Sequence, residues 1–110
     1  MLPFRVLHAA RRELLEAAHW FKREDGLAVA REFGAAYRAQ LQRARQLPRS
    51  GHLVAALPAG LEFEVRRFLF ERFAYALYVA VVQDELVVLA VAHQHRRPRY
   101  WIRRLAKVRP

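Results

Sequence analysis

The sequence predicts an α+β fold in which a helical hairpin packs on one face of an antiparallel sheet. Two patterns of apolar residues support this prediction. Apolar residues between positions 9 and 46 recur every three or four residues, as on one face of a helix, whereas those between 62 and 93 alternate every two residues, as in strands. The 110 residues are the length of one ordinary domain, so we expect a single domain over residues 1–110.

The N-terminal half should hold one strand and two helices. Residues 4–8, FRVLH, are typical of a short strand. Apolar residues from position 10 to 21 follow at helical spacing, and those from 27 to 44 repeat it until Pro48 stops the second helix. Asp25, in the short break between them, is a candidate helix N-cap. A break this short implies an antiparallel helical hairpin.

The C-terminal half should form the sheet. Residues 48–60 hold two prolines and two glycines, which is typical of a connecting loop. Three strands should follow, spanning residues 62–70, 73–82 and 85–93. In the middle one the odd positions are large and the even ones mostly alanine, so one face should pack on the helices and the other should be shallow, with room for a partner. The prediction is thus an N-terminal strand, an antiparallel helical hairpin on an antiparallel sheet of three to four strands, and a short C-terminal helix opening at Pro98.

The charge balance points to an anionic partner. Twenty Lys and Arg residues face ten Asp and Glu residues, for a net charge of +10, and no acid follows Glu85. Such an excess attracts nucleic acid, an acidic protein or anionic lipid. Gln83, Asp84 and Glu85 interrupt the longest apolar region, which argues against a membrane span. The N-terminus lacks the long apolar stretch of a signal peptide, so nothing suggests export.

Several kinds of catalytic site are disfavoured. The chain has no cysteine for a disulfide or thiolate site. His93 and His95 would share one face of a strand, but a zinc site needs a third ligand and no carboxylate lies nearby in sequence. Ser50, the single serine, is outside any nucleophile-elbow motif, and the four glycines are scattered. We therefore expect no metal and no cofactor.

Metal-free RNA cleavage remains a candidate activity. It needs a base for the 2′-hydroxyl, an acid for the leaving oxygen and cations for the phosphate. Glu62 or Glu64 is the candidate base, and the candidate acids are His93, His95 and Tyr100. The cations would come from Arg66, Arg67, Arg72 and Arg96. The structural alternative, which we favour, is that Glu and Arg pair across strands while His93 caps a strand end.

A basic edge is the second candidate site. It would consist of Arg66, Arg67, His95, Arg96, Arg97 and Arg99, with residues 93–97 at the end of the central strand and beside the Arg66–Arg67 strand. The neighbouring Tyr100 and Trp101 allow two interpretations: their rings stack on bases, or they anchor the C-terminal helix in the core. For Trp101 we favour the anchoring role.

The order of elements and two stretches, RRFLFERFAYALYV and VLAVAHQHRRPRYW, resemble the RelE/ParE superfamily of toxins over residues 4–101. That family usually has Phe-Pro-Tyr where this chain has Phe73-Ala74-Tyr75. The resemblance implies the toxin of a bacterial type II toxin–antitoxin pair: a small basic protein of the cytoplasm that arrests growth and is neutralised by a more acidic cognate antitoxin. It implies no membrane association.

The resemblance leaves the target open, because one branch of the superfamily cleaves mRNA on the ribosome and another inhibits DNA gyrase. Lysine-based cleavage is disfavoured, since the chain has only Lys22 and Lys107. The family's Glu–Arg–His–Tyr set has candidates in Glu64, Arg66, Arg72, His93 and Tyr100, but His and Tyr are not adjacent here. We favour the ParE-like gyrase inhibitor. The alternatives are a RelE-like, metal-free, ribosome-dependent endoribonuclease and a degenerate or binding-only basic module that binds nucleic acid.

Overall fold

Two α-helices and five strands form the described part of the chain. The structure is a computed structural model and describes residues 1–55 and 57–108. The elements in chain order are β1 (Phe4–Val6), α1 (His8–Asp25), α2 (Leu27–Gln46), β2 (His52–Leu53), β3 (Val65–Leu69), β4 (Tyr75–Val82) and β5 (Glu85–His93), with 3₁₀ helices at Pro48–Ser50 and Ile102–Lys107. The predicted α+β class, helical hairpin and order of elements are confirmed.

The sheet differs from the prediction in size and direction. Its five strands lie in the order β1-β5-β4-β3-β2, and β1 pairs with β5 in parallel, so the sheet is mixed. No tight turn joins β1 to β5, because the helices and the other strands intervene, so nothing local imposes antiparallel pairing. β2 falls within the predicted 48–60 loop, where two residues are too few to show a strand pattern. Residue 56 of that loop lies outside the described residues.

The helices cover the face of the sheet that carries the large residues of β4, as predicted. Phe33 of α2 is fully buried, and its ring centroid lies 5.0 Å from that of Tyr75 and 5.4 Å from that of Phe70. Side chains alternate along a strand, so Tyr75 and Leu77 share this face. The aromatic cluster around Phe33 therefore joins the helical hairpin to the sheet.

The opposite face was predicted to be shallow and open, and this is wrong. Ala76 and Ala80 are each only 1% exposed because the C-terminal segment covers the sheet there. The buried Trp101 packs on Tyr78, with ring centroids 5.2 Å apart. Leu105 and Val108 are buried in the same core. The anchoring role predicted for Trp101 is thus confirmed.

Two helix boundaries also differ from the prediction. Asp25 is not an N-cap but the last residue of α1, and Gly26, between the two helices, has a positive φ with an extended ψ (φ 94°, ψ 169°). Glycine reaches that conformation without a Cβ penalty, so it can end one helix and begin the next. The C-terminal helix begins at Ile102 rather than Pro98, and it is a 3₁₀ helix.

Gly51 is a position where a larger residue should destabilise the fold. A Cβ there would lie 2.5 Å from Cε1 of Phe68, whose ring is buried and has little room to move. We expect Gly51→Ala to lower the free energy of unfolding by about 1–3 kcal/mol. Gly34→Ala is the matched control: it meets only the flexible Arg38 guanidinium, and alanine favours a helix by about 0.5–1 kcal/mol. Urea unfolding should show a lower free energy of unfolding for Gly51→Ala and a higher one for Gly34→Ala. Equal stabilities of the two variants would contradict the close packing around Gly51.

Candidate functional site

The basic segment that follows β5 is exposed. Residues 93–99 are all exposed, and His93 is the last residue of β5, opposite Tyr75. The predicted position at a strand end is confirmed, but the segment does not lie beside Arg66–Arg67. β4 separates β5 from β3, and Arg66 pairs with Val79, four residues along β4 from Tyr75. That separation is about 13 Å along the strand.

The His93 ring is fixed by its neighbours. Its Nδ1 accepts a 3.1 Å hydrogen bond from the backbone N–H of His95. The ring also packs edge-on against Tyr75 at 5.2 Å and lies 5.0 Å from the His95 ring, at an angle of 31° between the ring planes. With Nδ1 as an acceptor, the neutral ring carries its proton on Nε2. His93 therefore ends the strand with a local hydrogen bond, which is the capping role that the sequence favoured.

Side chains replace a missing strand at the edge of β5. β1 covers this edge only as far as Val88. Beyond it, the N–H of Val91 donates to Glu13 Oε1 at 3.1 Å, and Arg104 Nη1 donates to the carbonyl oxygen of Leu89 at 2.9 Å. Both backbone groups lie at the sheet edge and would otherwise lack a partner from a neighbouring strand. α1 and the C-terminal segment thus meet at the edge of the sheet.

Glu13 and Arg104 form a bidentate ion pair at this edge. Arg104 Nη1 lies 2.8 Å from Oε1, and Nη2 lies 3.0 Å from Oε2. The two side chains are only 12% and 19% exposed, so solvent screens the pair weakly. The hydrogen bond to Glu13 raises the pKa of the Arg104 guanidinium. This parallel two-bond geometry is the strongest form of an arginine–carboxylate contact.

Tyr100 belongs to the same network. Its hydroxyl donates to Glu13 Oε2, and the guanidinium carbons of Arg96 and Arg104 lie 4.0 Å and 5.1 Å from its ring centroid. Burial, followed by the hydrogen bond to the Glu13 carboxylate, raises the pKa of the Tyr100 phenol. The phenol therefore stays protonated at neutral pH, and its proton is already shared with Glu13. In this arrangement Tyr100 ties the C-terminal segment to α1.

Glu64 and Arg66 lie together on the helix side of β3. Arg66 Nη1 donates to the carbonyl oxygens of Arg49 and Gly51 at 3.1 and 2.9 Å, and Nη2 lies 3.4 Å from Glu64 Oε2. Glu62 lines the same cleft of about 420 Å³. The Arg66 guanidinium is thus engaged with the backbone that follows α2. It holds that connection in place and is only 18% exposed.

A second cleft brings Arg72 and His93 together. It has a volume of about 540 Å³ and lies between the end of α1, the turn from β3 to β4, and the end of β5. Its aromatic walls include Trp20, Phe21, Phe73 and Tyr75. Burial raises the pKa of the Tyr75 phenol. Arg72 has φ 68°, in the left-handed region that non-glycine residues adopt rarely and at a cost. This turn presents the Arg72 side chain at the rim of the cleft.

The five candidate catalytic residues therefore lie in three separate places. Glu64 and Arg66 pair on β3, Arg72 and His93 share the aromatic cleft, and Tyr100 is bound to Glu13. The predicted basic edge is also divided. Arg67 lies on β3 with Nε buried and without a hydrogen-bond partner among the described residues, whereas the four basic residues between 95 and 99 are exposed beyond β5.

The described residues form neither a three-ligand metal site nor a helix that could span a membrane. Within residues 1–55 and 57–108, no group of three or more His, Asp or Glu side chains is placed to hold a metal ion. Over the same ranges, the α-helices are too short or too polar to cross a bilayer.

Two residues of the site, Glu13 and Trp20, were not anticipated from the sequence. Glu13 lies three residues after Ala10 and four before Ala17, so it falls on the stripe of α1 that the apolar spacing assigned to the core. A carboxylate on a buried helix face needs a partner that donates hydrogen bonds or carries the opposite charge. The arginines near the C-terminus could have been considered as that partner. Trp20 is 48% exposed next to the buried stripe. A large exposed aromatic residue on a helix is a weaker signal.

The comparisons with known proteins decide the family. The family model described as the ParE toxin of the type II toxin–antitoxin system parDE matches residues 4–98. The chain belongs to the ParE toxin family. A chain in the solved structure of the chromosomal ParDE toxin–antitoxin system from P. aeruginosa has a similar fold. The TM-score is 0.66 at 18% identity, and the alignment covers 84% of this chain and 96% of that one. No curated protein is significantly similar in sequence.

Membership of the ParE family implies an antitoxin as partner. It confirms the resemblance to the RelE/ParE superfamily and places the chain on the ParE side of it. The matched residues include Glu13, Arg72 and His93 and end before Tyr100 and Arg104. The ion pair between Glu13 and Arg104 therefore joins the matched region to the C-terminal segment that covers the sheet.

Proposed function

We propose that this ParE-family toxin arrests bacterial growth by binding and inhibiting DNA gyrase in the cytoplasm. Family membership supports the toxin class. The choice of gyrase over the ribosome rests on the arrangement of the candidate catalytic residues. The proposed antitoxin is acidic, because a chain of net charge +10 associates fastest with a partner of opposite charge.

The observation that favours gyrase over the ribosome is the separation of the candidate catalytic residues in the structure. Cleavage of RNA by general acid–base catalysis needs a base, an acid and a phosphate-binding cation around one phosphate, with each donor or acceptor about 2.6–3.2 Å from the group it acts on. Arg66 donates to backbone carbonyl oxygens on the helix side of β3, and Glu64 pairs with Arg66, so neither lies near His93 or Tyr100. Tyr100 shares its proton with Glu13. This arrangement favours a toxin that binds its target without cleaving it.

The test compares the two targets directly. We expect purified protein to inhibit DNA supercoiling by gyrase and to leave mRNA intact on translating ribosomes. Expression of the toxin alone should stop growth, and co-expression of the antitoxin should restore it. Ribosome-dependent cleavage with normal gyrase activity would overturn the proposal. If the protein neither inhibits gyrase nor causes mRNA cleavage, and growth is unimpeded at high soluble expression, the chain is a degenerate or binding-only member.

One observation supports the endoribonuclease as the second candidate. Arg72 and His93 line one cleft, so a cation and an imidazole are available near the same ligand. His93→Gln and His95→Gln are the variants that separate the candidates. A large loss of cleavage rate at unchanged melting temperature for either one would favour the nuclease.

A further inference from the structure

We propose that the aromatic cleft bordered by Trp20, Arg72 and His93 binds an unpaired base of a single-stranded nucleic acid, with the flanking phosphates along residues 93–97. This site goes beyond the proposed function, since it does not require gyrase as a partner. It combines two features that single-strand binding needs, a stacking platform and a neighbouring row of cations.

The walls of the cleft are rigid aromatic rings. Phe21 packs edge-on against Trp20 and against Phe73, each at a centroid distance of 5.1 Å, and lies 5.9 Å from Tyr75. Phe21 also contacts the buried Phe33 at 5.0 Å, which ties these rings to the core. Trp20 is 48% exposed, so part of its ring is free to stack. The volume of about 540 Å³ is within the range of about 300–1,000 Å³ that small-ligand sites occupy.

The charge at the rim selects the class of ligand. An aromatic cage can also hold an organic cation, but Arg72 at the rim and the net charge of +10 oppose one. Arg72 makes no hydrogen bond or ion pair with the described residues, so its guanidinium is available to an anion. A purely aliphatic group would leave the Arg72 and His93 donors without acceptors. A nucleotide supplies both a π-face and anionic oxygens.

The cleft is continuous with the exposed basic segment. Ring contacts run from Tyr75 to His93 at 5.2 Å and from His93 to His95 at 5.0 Å. Arg96 and Arg97 follow, and both are exposed. Asp25, at the end of α1, and Glu71, in the turn from β3 to β4, are the acids next to the cleft in sequence, but neither lines it. Arg96 is partly engaged, since it packs over Tyr100 and its Nη1 lies 3.9 Å from Glu13 Oε2. The phosphates of a bound strand are therefore drawn mainly toward Arg97 and the exposed side of Arg96.

The aromatic residues that the sequence offered for base stacking are not accessible. Trp101 is 1% exposed, and the ring of Tyr100 is already packed against the guanidinium groups of Arg96 and Arg104. Trp20 takes the role of the stacking platform instead, about eighty residues earlier in the chain.

The experiment measures binding of short oligothymidylate and oligouridylate to the full chain by fluorescence anisotropy across a salt series. Trp20→Ala should weaken binding by about tenfold or more and leave the salt dependence unchanged, because it removes stacking alone. Arg72→Ala should make the slope of log K against log salt shallower by about 0.7, the value for one phosphate contact on a single strand. Trp20→Phe should retain most of the affinity.

Matched controls separate the cleft from general polyanion binding. Leu15→Ala removes an exposed apolar side chain from α1, and Arg31→Ala removes one exposed charge from α2. Neither lines the cleft, so both should bind like the parent chain. Tighter binding to one oligonucleotide would identify the source as DNA or RNA, and similar binding would support the shared chemistry.

Three results would overturn the site. One is no detectable binding of either oligonucleotide at low salt. Another is an equal loss of oligonucleotide affinity in the cleft variants and in the control variants, which would mean that binding depends on net charge alone. The third is that Trp20→Ala and Arg72→Ala weaken binding of the antitoxin while oligonucleotide binding stays unchanged, which would make the cleft a protein-binding site.

Discussion

Replacing Trp101 by alanine will lower the free energy of unfolding by about 3–5 kcal/mol, the usual cost of truncating a buried tryptophan. Trp101 is 1% exposed and packs on Tyr78, so its removal leaves a cavity between the sheet and the C-terminal segment. For a domain whose total stability is about 5–15 kcal/mol, such a loss is a large fraction of the whole.

The measurement is urea or thermal unfolding followed by circular dichroism. Trp20→Ala is the matched control, because it removes the same side chain from a half-exposed position and should cost less, about 0.5–1.5 kcal/mol, the usual value of an aromatic pair such as Trp20 with Phe21. Equal losses at the two positions would show that Trp101 does not anchor the C-terminal segment.

Replacing Glu13 by alanine should have a similarly large effect, about 3–5 kcal/mol, because it leaves the mostly buried Arg104 guanidinium without its counter-charge. The change also removes the acceptors of the Val91 N–H and the Tyr100 hydroxyl. Both the sheet edge and the C-terminal segment should therefore loosen together.

A double-mutant cycle tests the ion pair itself. Glu13→Leu combined with Arg104→Met should cost less than the sum of the single changes, since no uncompensated charge remains. Glu16→Ala, an exposed position one turn along α1, should be nearly neutral. Additive losses in the cycle would mean that the two side chains do not depend on each other.

Local patterns predicted the parts of the fold that local spacing determines. The helical repeat from residue 27 to 44 and the large-small alternation of β4 identified α2 and the face that it covers. β2 was missed because two residues carry no period, and the direction of β1 was missed because its pairing with β5 is not set by a turn. The extent of the sheet thus depended on contacts that no short window contains.

The site was predicted less well than the fold for the same reason. The sequence placed His93 at a strand end, but its cross-strand partner Tyr75 followed only from the register of β4 and β5. Glu13 binds groups 78 to 91 residues away in the chain. Tyr100 had a binding and an anchoring interpretation, and only the position of Glu13 distinguishes them.

The pairing of β1 with β5 has a consequence for how the protein is made. Residues 4–6 meet residues 86–88, and Glu13 meets Arg104, so the last contacts close loops of about eighty to ninety residues. Contacts this distant in sequence slow folding, because the entropy of loop closure is lost before the contacts form. A chain emerging from the ribosome can form the helical hairpin early, but its N-terminal strand has no partner until β5 has been synthesised. The domain therefore becomes fully folded only after β5 and Arg104 have both been synthesised.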